Sequence, residues 1–273
     1  QGLYNPGNEH DNCGIGFVAH IKGEASHDII CRGFEVLRNM DHRGATSADN
    51  ATGDGAGLLM QIPHEFISSV LKLDVGQPGR YGTGLIFLPQ EKSEAEICLE
   101  VLAKNIAEEG LQLVAFRDLP VDSSAPGEIA RAAEPRMKQV FVKGNFEQDT
   151  LERKLYIVRK LTEHAIRNSN LKSRNWFYQP SFSSKVMVYK GMFTPAQLQA
   201  YFRDLQDPRM KSAIALVHSR FSTNTFPTWD LAHPFRIIAH NGEINTIRGN
   251  RLWMQAREAL MKSEVFGSDL KKL

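Results

Sequence analysis

The apolar runs of this chain are all short, and that limits its architecture more than any other feature. Stretches such as Ala213-Ile214-Ala215-Leu216-Val217 have the length of a core strand, far below the ~18 consecutive apolar residues that span a bilayer. A soluble chain with small sheets is therefore expected. Runs rich in β-branched and aromatic residues place strands at 13–21, 58–62, 84–88, 112–116, 138–142, 185–189, 213–218 and 235–239. Apolar residues recurring every three or four positions place helices from Ser26 through Leu37 and at 64–72, 93–109, 148–168, 195–204 and 246–262, with Ser26 or Asp28 as the N-cap of the first. The helices do not alternate with strands as in a repeated βαβ unit, which favours an α+β arrangement of largely antiparallel sheets. The irregular segments 118–136 and 168–183 read as long surface connections, not as domain boundaries.

Charge narrows the partners. Lys and Arg total 33 against 31 Asp and Glu, interspersed, for a net +2, so neither nucleic acid nor a membrane surface is expected as a partner and a small molecule is. The cysteines Cys13, Cys31 and Cys98 are odd in number and far apart, which fits a reducing compartment. Cys31 and Cys98 fall beside apolar stripes of helices and are expected to be buried and structural. No Cys-x-x-Cys or His-Glu-x-x-His occurs, and His10, His20, His27 and His42 match no ligand spacing, so no metal site is expected. The chain begins at Gln1 and ends after the polar run 268–272, and it reads as a piece of a longer polypeptide.

Residues 42–57 hold almost no large apolar side chain, and a loop of that length inside a compact domain is usually functional or disordered. Its Thr52-Gly53-Asp54-Gly55-Ala56-Gly57 resembles a dinucleotide fingerprint, with Asp74 as the ribose-binding acid. The context fails, because polar residues precede it and a strand-like run follows where a helix should start.

Cys13 heads the first strand and precedes Gly14, which lets a substrate approach the backbone. It reads either as a core cysteine or as a nucleophile. A terminal cysteine carries its own base, an α-amino group with a pKa of ~7.7–8.0, so the second reading demands cleavage between Asn12 and Cys13. Residues 1–12 are polar and aperiodic, as a removable propeptide would be. Arg220, at the end of the strand before Phe221-Ser222-Thr223-Asn224-Thr225, is suited to hold a carboxylate in a bidentate pair or to serve a structural ion pair. After the apolar Ile237-Ile238-Ala239, Asn241-Gly242 offers a side-chain amide beside a free backbone N–H. The pair fits an oxyanion hole and a hairpin turn equally well.

The blocks Asp11-Asn12-Cys13-Gly14-Ile15-Gly16-Phe17, Asp41-His42-Arg43-Gly44-Ala45, Thr52 through Gly57, His218-Ser219-Arg220-Phe221-Ser222-Thr223-Asn224-Thr225 and His240-Asn241-Gly242-Glu243-Ile244-Asn245-Thr246 together resemble the glutaminase domain of the glutamate synthase family. So do Arg174 through Ser183 and Phe226 through Phe235, and the resemblance covers essentially the whole chain. It implies a class II glutamine amidotransferase with the four-layer αββα fold of N-terminal-nucleophile hydrolases, two packed and largely antiparallel sheets. Residues 1–12 would be the propeptide and 13–273 the amidotransferase domain, truncated at its C-terminus.

By the same resemblance Cys13 would be the nucleophile, its freed α-amine the base, and Asn241 and Gly242 the oxyanion hole. Arg220 would anchor the α-carboxylate of L-glutamine, Thr223 and Asn224 would belong to the substrate-binding segment, and Arg43 would order the loop near Cys13. The aspartate that binds the substrate's α-amino group is expected beyond Leu273, since Asp269 stands in a dissimilar context. No cofactor is expected in these residues. FMN and an iron–sulfur cluster would lie in a synthase domain of the same polypeptide, which would aminate 2-oxoglutarate with channelled ammonia and draw electrons from a small reductase subunit or ferredoxin. The compartment implied is the cytoplasm, or a plastid in a photosynthetic eukaryote. Three other readings compete: a non-catalytic module with Cys13 blocked, a papain-like hydrolase pairing Cys13 with a histidine such as His240, and an amidotransferase serving a different synthase.

Overall fold

A computed structural model describes residues 14–222, 225–240 and 246–273. Among the described residues seven strands form two antiparallel sheets. The first has the order β1-β7-β2-β6, with β1 Ile15–Ala19, β2 Ala56–Gln61, β6 Val186–Gly191 and β7 Ile214–Ser219. The second has the order β3-β5-β4, with β3 Tyr81–Leu88, β4 Gln112–Asp118 and β5 Arg136–Lys143. This is the mixed fold with two antiparallel sheets that the sequence predicts.

Helices cover the sheets where their apolar stripes meet strand side chains. Helix α1, His27–Asn39, starts under the Ser26 side chain, whose Oγ accepts from the Ile29 N–H, and buries Ile30, Phe34 and Leu37. It lies on β1 and β7 so closely that a Cβ on Gly33 would meet the Ala215 Cβ at 2.7 Å. Helices α3, Lys92–Glu108, and α5, Gln148–Arg167, cover one face of the second sheet. There Ile86, Leu88, Val140 and Val142 pack with Cys98, Leu102, Leu151 and Leu155. The alternate residues Leu85, Phe87, Met137 and Phe141 point the other way, into the core shared with the first sheet and α1. Helices α2, His64–Leu71, and α6, Pro195–Tyr201, close that core's margins, and α7, Ile247–Glu258, buries none of its residues.

Three expectations are corrected. Cys31 is exposed, because the α1 stripe of Ile30, Phe34 and Leu37 faces the sheet and leaves residue 31 on the solvent side, whereas Cys98 is buried. The connection 118–136 contains a helix, α4 Glu128–Ala132, which the Thr52 Oγ1 holds by accepting from the Ala130 N–H at 3.1 Å. The run 235–239 is no strand. Phe235 and Ile238 exchange backbone hydrogen bonds of 2.8 and 3.2 Å in a tight turn, and Ile237 and Ile238 are 70% and 56% exposed. The chain turns there because Arg236 is drawn to Glu152 of α5 at 2.8 Å, leaving no strand partner for the apolar run.

Candidate active site

Three strand ends meet at one end of the first sheet. The pairing of Ile15 with His218 and of Ala56 with Ser219 brings the start of β1, the end of β7 and the start of β2 side by side. Beyond the ladder, the Ser219 N–H donates to the Gly14 carbonyl at 2.7 Å and the Arg220 N–H to the Gly55 carbonyl at 2.8 Å. The Ser222 N–H then donates to Asp54 Oδ2 at 2.7 Å. Arg220 is thus fixed at the mouth of the sheet, one residue beyond the Ser219–Gly14 pairing.

A cavity of about 620 Å³ opens here, bounded by Arg38, Asp41, Gly44, Thr46, Ser219 and Arg220 among others, a size typical of small-molecule clefts. Its polar walls hold unused donors. Arg220 Nη1 and Ser219 Oγ, with the nearby Arg43 Nε, are buried with no hydrogen-bond partner among the described residues, while Arg220 Nη2 donates to Thr225 Oγ1 at 3.1 Å. Burial pulls the Arg220 guanidinium below its ordinary pKa, and the carboxylates of Asp54 and Asp230 oppose that shift. A half-buried guanidinium with an unpartnered Nη1 suits the binding of a carboxylate.

The glycine-rich loop is ordered, and its glycines serve packing. Asp49 accepts from the backbone of Ala51, Thr52 and Ile129 and from the Thr52 hydroxyl, which holds its carboxyl far below the usual range. A Cβ on Gly53 would lie 2.1 Å from the Phe193 carbonyl carbon, so only glycine lets the loop lie against the chain that leads into α6. Asp54 is spent on Ser222. No phosphate cradle is built from these residues.

On the face of the first sheet away from α1, His218, Gly57 and Lys190 stand in one row across β7, β2 and β6. The chain from Phe226 to His240 crosses this row. His233 stacks on His218 with centroids 4.7 Å apart and meets His240 edge-on at 4.9 Å. Burial first, then the neighbouring His218, His240, Lys190 and Arg220, pushes the His233 pKa down to about 3.

Of the residues singled out in the sequence, Arg220 lines the cavity and Arg43 sits in the turn beside it, next to Gly44, whose Cβ would meet Ser219 Oγ at 2.8 Å. Cys13, Thr223, Asn224, Asn241 and Gly242 lie outside the described residues. Ser219, Asp54, His233 and Lys190 were not singled out. For Lys190 a signal existed, a lone charge in the apolar strand Val186-Met187-Val188-Tyr189-Lys190-Gly191.

The two antiparallel sheets thus carry an arginine-lined cavity at the strand ends of the first. Residues 13–273 match the family described as glutamine amidotransferases class-II, and the chain belongs to that family. It is 47% identical over 277 residues to a glutamate synthase [NADPH] large chain of Bacillus subtilis (strain 168), covering 100% of this chain and 18% of that protein. It is 43% identical over 287 residues to a glutamate synthase [NADH] of Schizosaccharomyces pombe, covering 100% of this chain and 13% of that one. With the chloroplastic ferredoxin-dependent glutamate synthase of Oryza sativa subsp. japonica it shares 41% over 263 residues, 94% of this chain and 16% of the relative. The chain therefore spans less than a fifth of the length of these relatives. Among the described residues no helix is long and apolar enough to cross a membrane.

Proposed function

We propose that this chain is the glutaminase part of a glutamate synthase and hydrolyses the side-chain amide of L-glutamine at Cys13. The observation that carries this reading is the unpaired Arg220 Nη1 in a cavity at the strand end, with Ser219 hydrogen-bonded to the residue that follows Cys13. Family membership supports it.

Arg220 takes the α-carboxylate of glutamine, Thr223 and Asn224 complete the substrate-binding segment, and Arg43 orders the turn around Gly44. Once residues 1–12 are removed, the free α-amine of Cys13 takes the thiol proton. The thiolate attacks the amide carbon, and Asn241 and Gly242 hold the resulting oxyanion. The amine returns its proton to the leaving ammonia, and water cleaves the thioester to glutamate. The α-amino group of glutamine is met by an aspartate beyond Leu273.

Ammonia passes to a synthase domain of the same polypeptide for reductive amination of 2-oxoglutarate. FMN and an iron–sulfur cluster would supply the electrons there, received from a small reductase subunit or ferredoxin. Cys31 and Cys98, one exposed on α1 and one buried in α3, do not fit as cluster ligands. The proposed compartment is the cytoplasm, or a plastid.

The test is intact mass and N-terminal sequencing of the full-length protein from its own cells, before and after treatment with an electrophilic glutamine analogue. The expected result is a chain starting at Cys13 that gains one adduct there, and Cys13→Ala should retain residues 1–12 if the cleavage is autocatalytic. A chain that keeps residues 1–12 and still hydrolyses glutamine would replace the α-amine by a histidine base.

A further inference from the structure

Helix α7 carries an apolar stripe that the described residues leave uncovered. Leu252 and Trp253 are followed by Ala256 and Leu260, spacings of three and four residues that set all four along one side of the helix and its closing turn. Arg251, Gln255 and Glu258 fall on the opposite side. This is the pattern of a helix that packs, yet Leu252 is 56%, Trp253 72% and Leu260 78% exposed. Single apolar side chains on a surface are ordinary, whereas a contiguous stripe marks an interaction site, and tryptophan is among the residues that most often anchor one.

The helix is tied to the body at both ends. Before it, His240 meets the buried His233 edge-on. After it, Phe266 packs on Tyr156 of α5 with ring centroids 5.9 Å apart, and Lys272 pairs at 2.6 Å with Glu109, just past α3. Between these anchors α7 has 12 residues and buries none. A helix of that length is marginal in water, and in proteins it draws most of its stability from packing its apolar face.

The length of the relatives points to what covers the stripe. The chain matches them over 94% to 100% of its own length and fills only 13% to 18% of theirs. A polypeptide of that build holds ample further chain. A segment joined after Leu273, a short way past Leu260 in sequence, meets the stripe at an effective concentration on the order of millimolar, an advantage that a second copy lacks. We propose that Leu252, Trp253, Ala256 and Leu260 form a docking surface for the part of the same polypeptide that follows Leu273. The inference takes from the reading above only that these residues belong to a longer synthase chain.

The experiment is hydroxyl-radical footprinting of the full-length wild type, with oxidation located by mass spectrometry and each rate divided by the rate in the urea-unfolded protein. Leu252, Trp253 and Leu260 should be oxidised at least ~5-fold more slowly than in the unfolded chain, since a docked interface excludes water from its centre. Less protection than that overturns the inference. A photoreactive benzophenone amino acid in place of Trp253 then identifies the occupant. Cross-links within one chain to peptides beyond residue 273 are expected, and cross-links only to residues 1–273, of the same chain or of a second copy, overturn the inference. Should that variant fail to fold, the wild-type footprint alone decides. Glutamate release from glutamine by the same preparation is scored separately. Activity with an unprotected Trp253 overturns the inference and leaves the glutaminase reading standing. A protected Trp253 in a protein that hydrolyses no glutamine supports the inference and overturns that reading.

Discussion

His233 is 8% exposed and surrounded by groups that carry or can acquire positive charge. His218 is stacked on it, His240 meets its edge, and Lys190 and Arg220 stand close enough to disfavour its protonation. With its folded pKa at about 3 and the unfolded value near 6.5, the unfolded chain binds the extra proton between those limits. The sign follows: stability rises with pH through that window, is complete above the unfolded pKa, and is lost as the pH falls below it. Acidification from pH 7 to 5 should cost ~1–2 kcal/mol through this residue. Urea unfolding of wild type and His233→Asn across that range checks it: the variant should show a flatter pH profile, and identical slopes would mean that His233 is not the group responsible. At this scale the sequence is partly legible. Arg220 could be picked out because a strand-end arginine before a polar segment suits anion binding, and Lys190 stands out as a lone charge in an apolar strand, whereas His233 acquires its chemistry from the long-range packing of its own segment on the sheet.

At the level of elements, the period-two and period-3.6 patterns locate most strands and helices to within a few residues, because each has one face on a core. The pattern fails where tertiary ties outweigh it. Phe235-Arg236-Ile237-Ile238 reads as a strand from its side chains, yet the Arg236–Glu152 ion pair and the contact of Phe235 with Lys190 hold it as a turn with its isoleucines outside. In the glycine-rich block the glycines let backbones touch. Gly57 gives the direct test. An alanine Cβ there would sit 2.2 Å from the His233 oxygen, 2.8 Å from the Lys190 Cβ and 2.9 Å from the Pro234 Cδ, and the first of these is backbone that must move bodily. Gly57→Ala should destabilise the chain by ~1–3 kcal/mol, because the crossing segment has to lift. Gly249→Ala is the control, within α7 and with nothing within 4 Å of its Cβ, and it should raise stability by ~0.5–1 kcal/mol. Denaturant midpoints decide the matter, and a Gly57→Ala midpoint equal to wild type would show that the segment does not press on β2 as described.

For the molecule as a whole, the two sheets must be held in one relation for the site at the end of the first to stay in shape, and one polar tie is a buried ion pair of the second sheet. Arg117 of β4 makes a bidentate pair with Asp204, at 2.6 and 2.8 Å, in the 310 turn Arg203–Gln206 that follows α6. The side chains are 17% and 5% exposed. Arg117 also lies over the Phe66 ring of α2, 5.6 Å from its centroid, and donates to Gln139 of β5 at 3.2 Å. One guanidinium thus connects the second sheet to elements packed on the shared core. Desolvation of both charges cancels much of their attraction, so the pair as a unit adds little net stability, but a partner left alone is costly. Asp204→Ala should therefore destabilise the chain by ~3–5 kcal/mol, and the double replacement Arg117→Met with Asp204→Leu should recover most of that loss. A double-mutant cycle from urea unfolding measures the coupling. Single and double variants with simply additive losses would mean that Arg117 and Asp204 act separately, and that the relation between the sheets is set by apolar packing among Leu85, Phe87, Phe141, Met187 and Tyr189 alone.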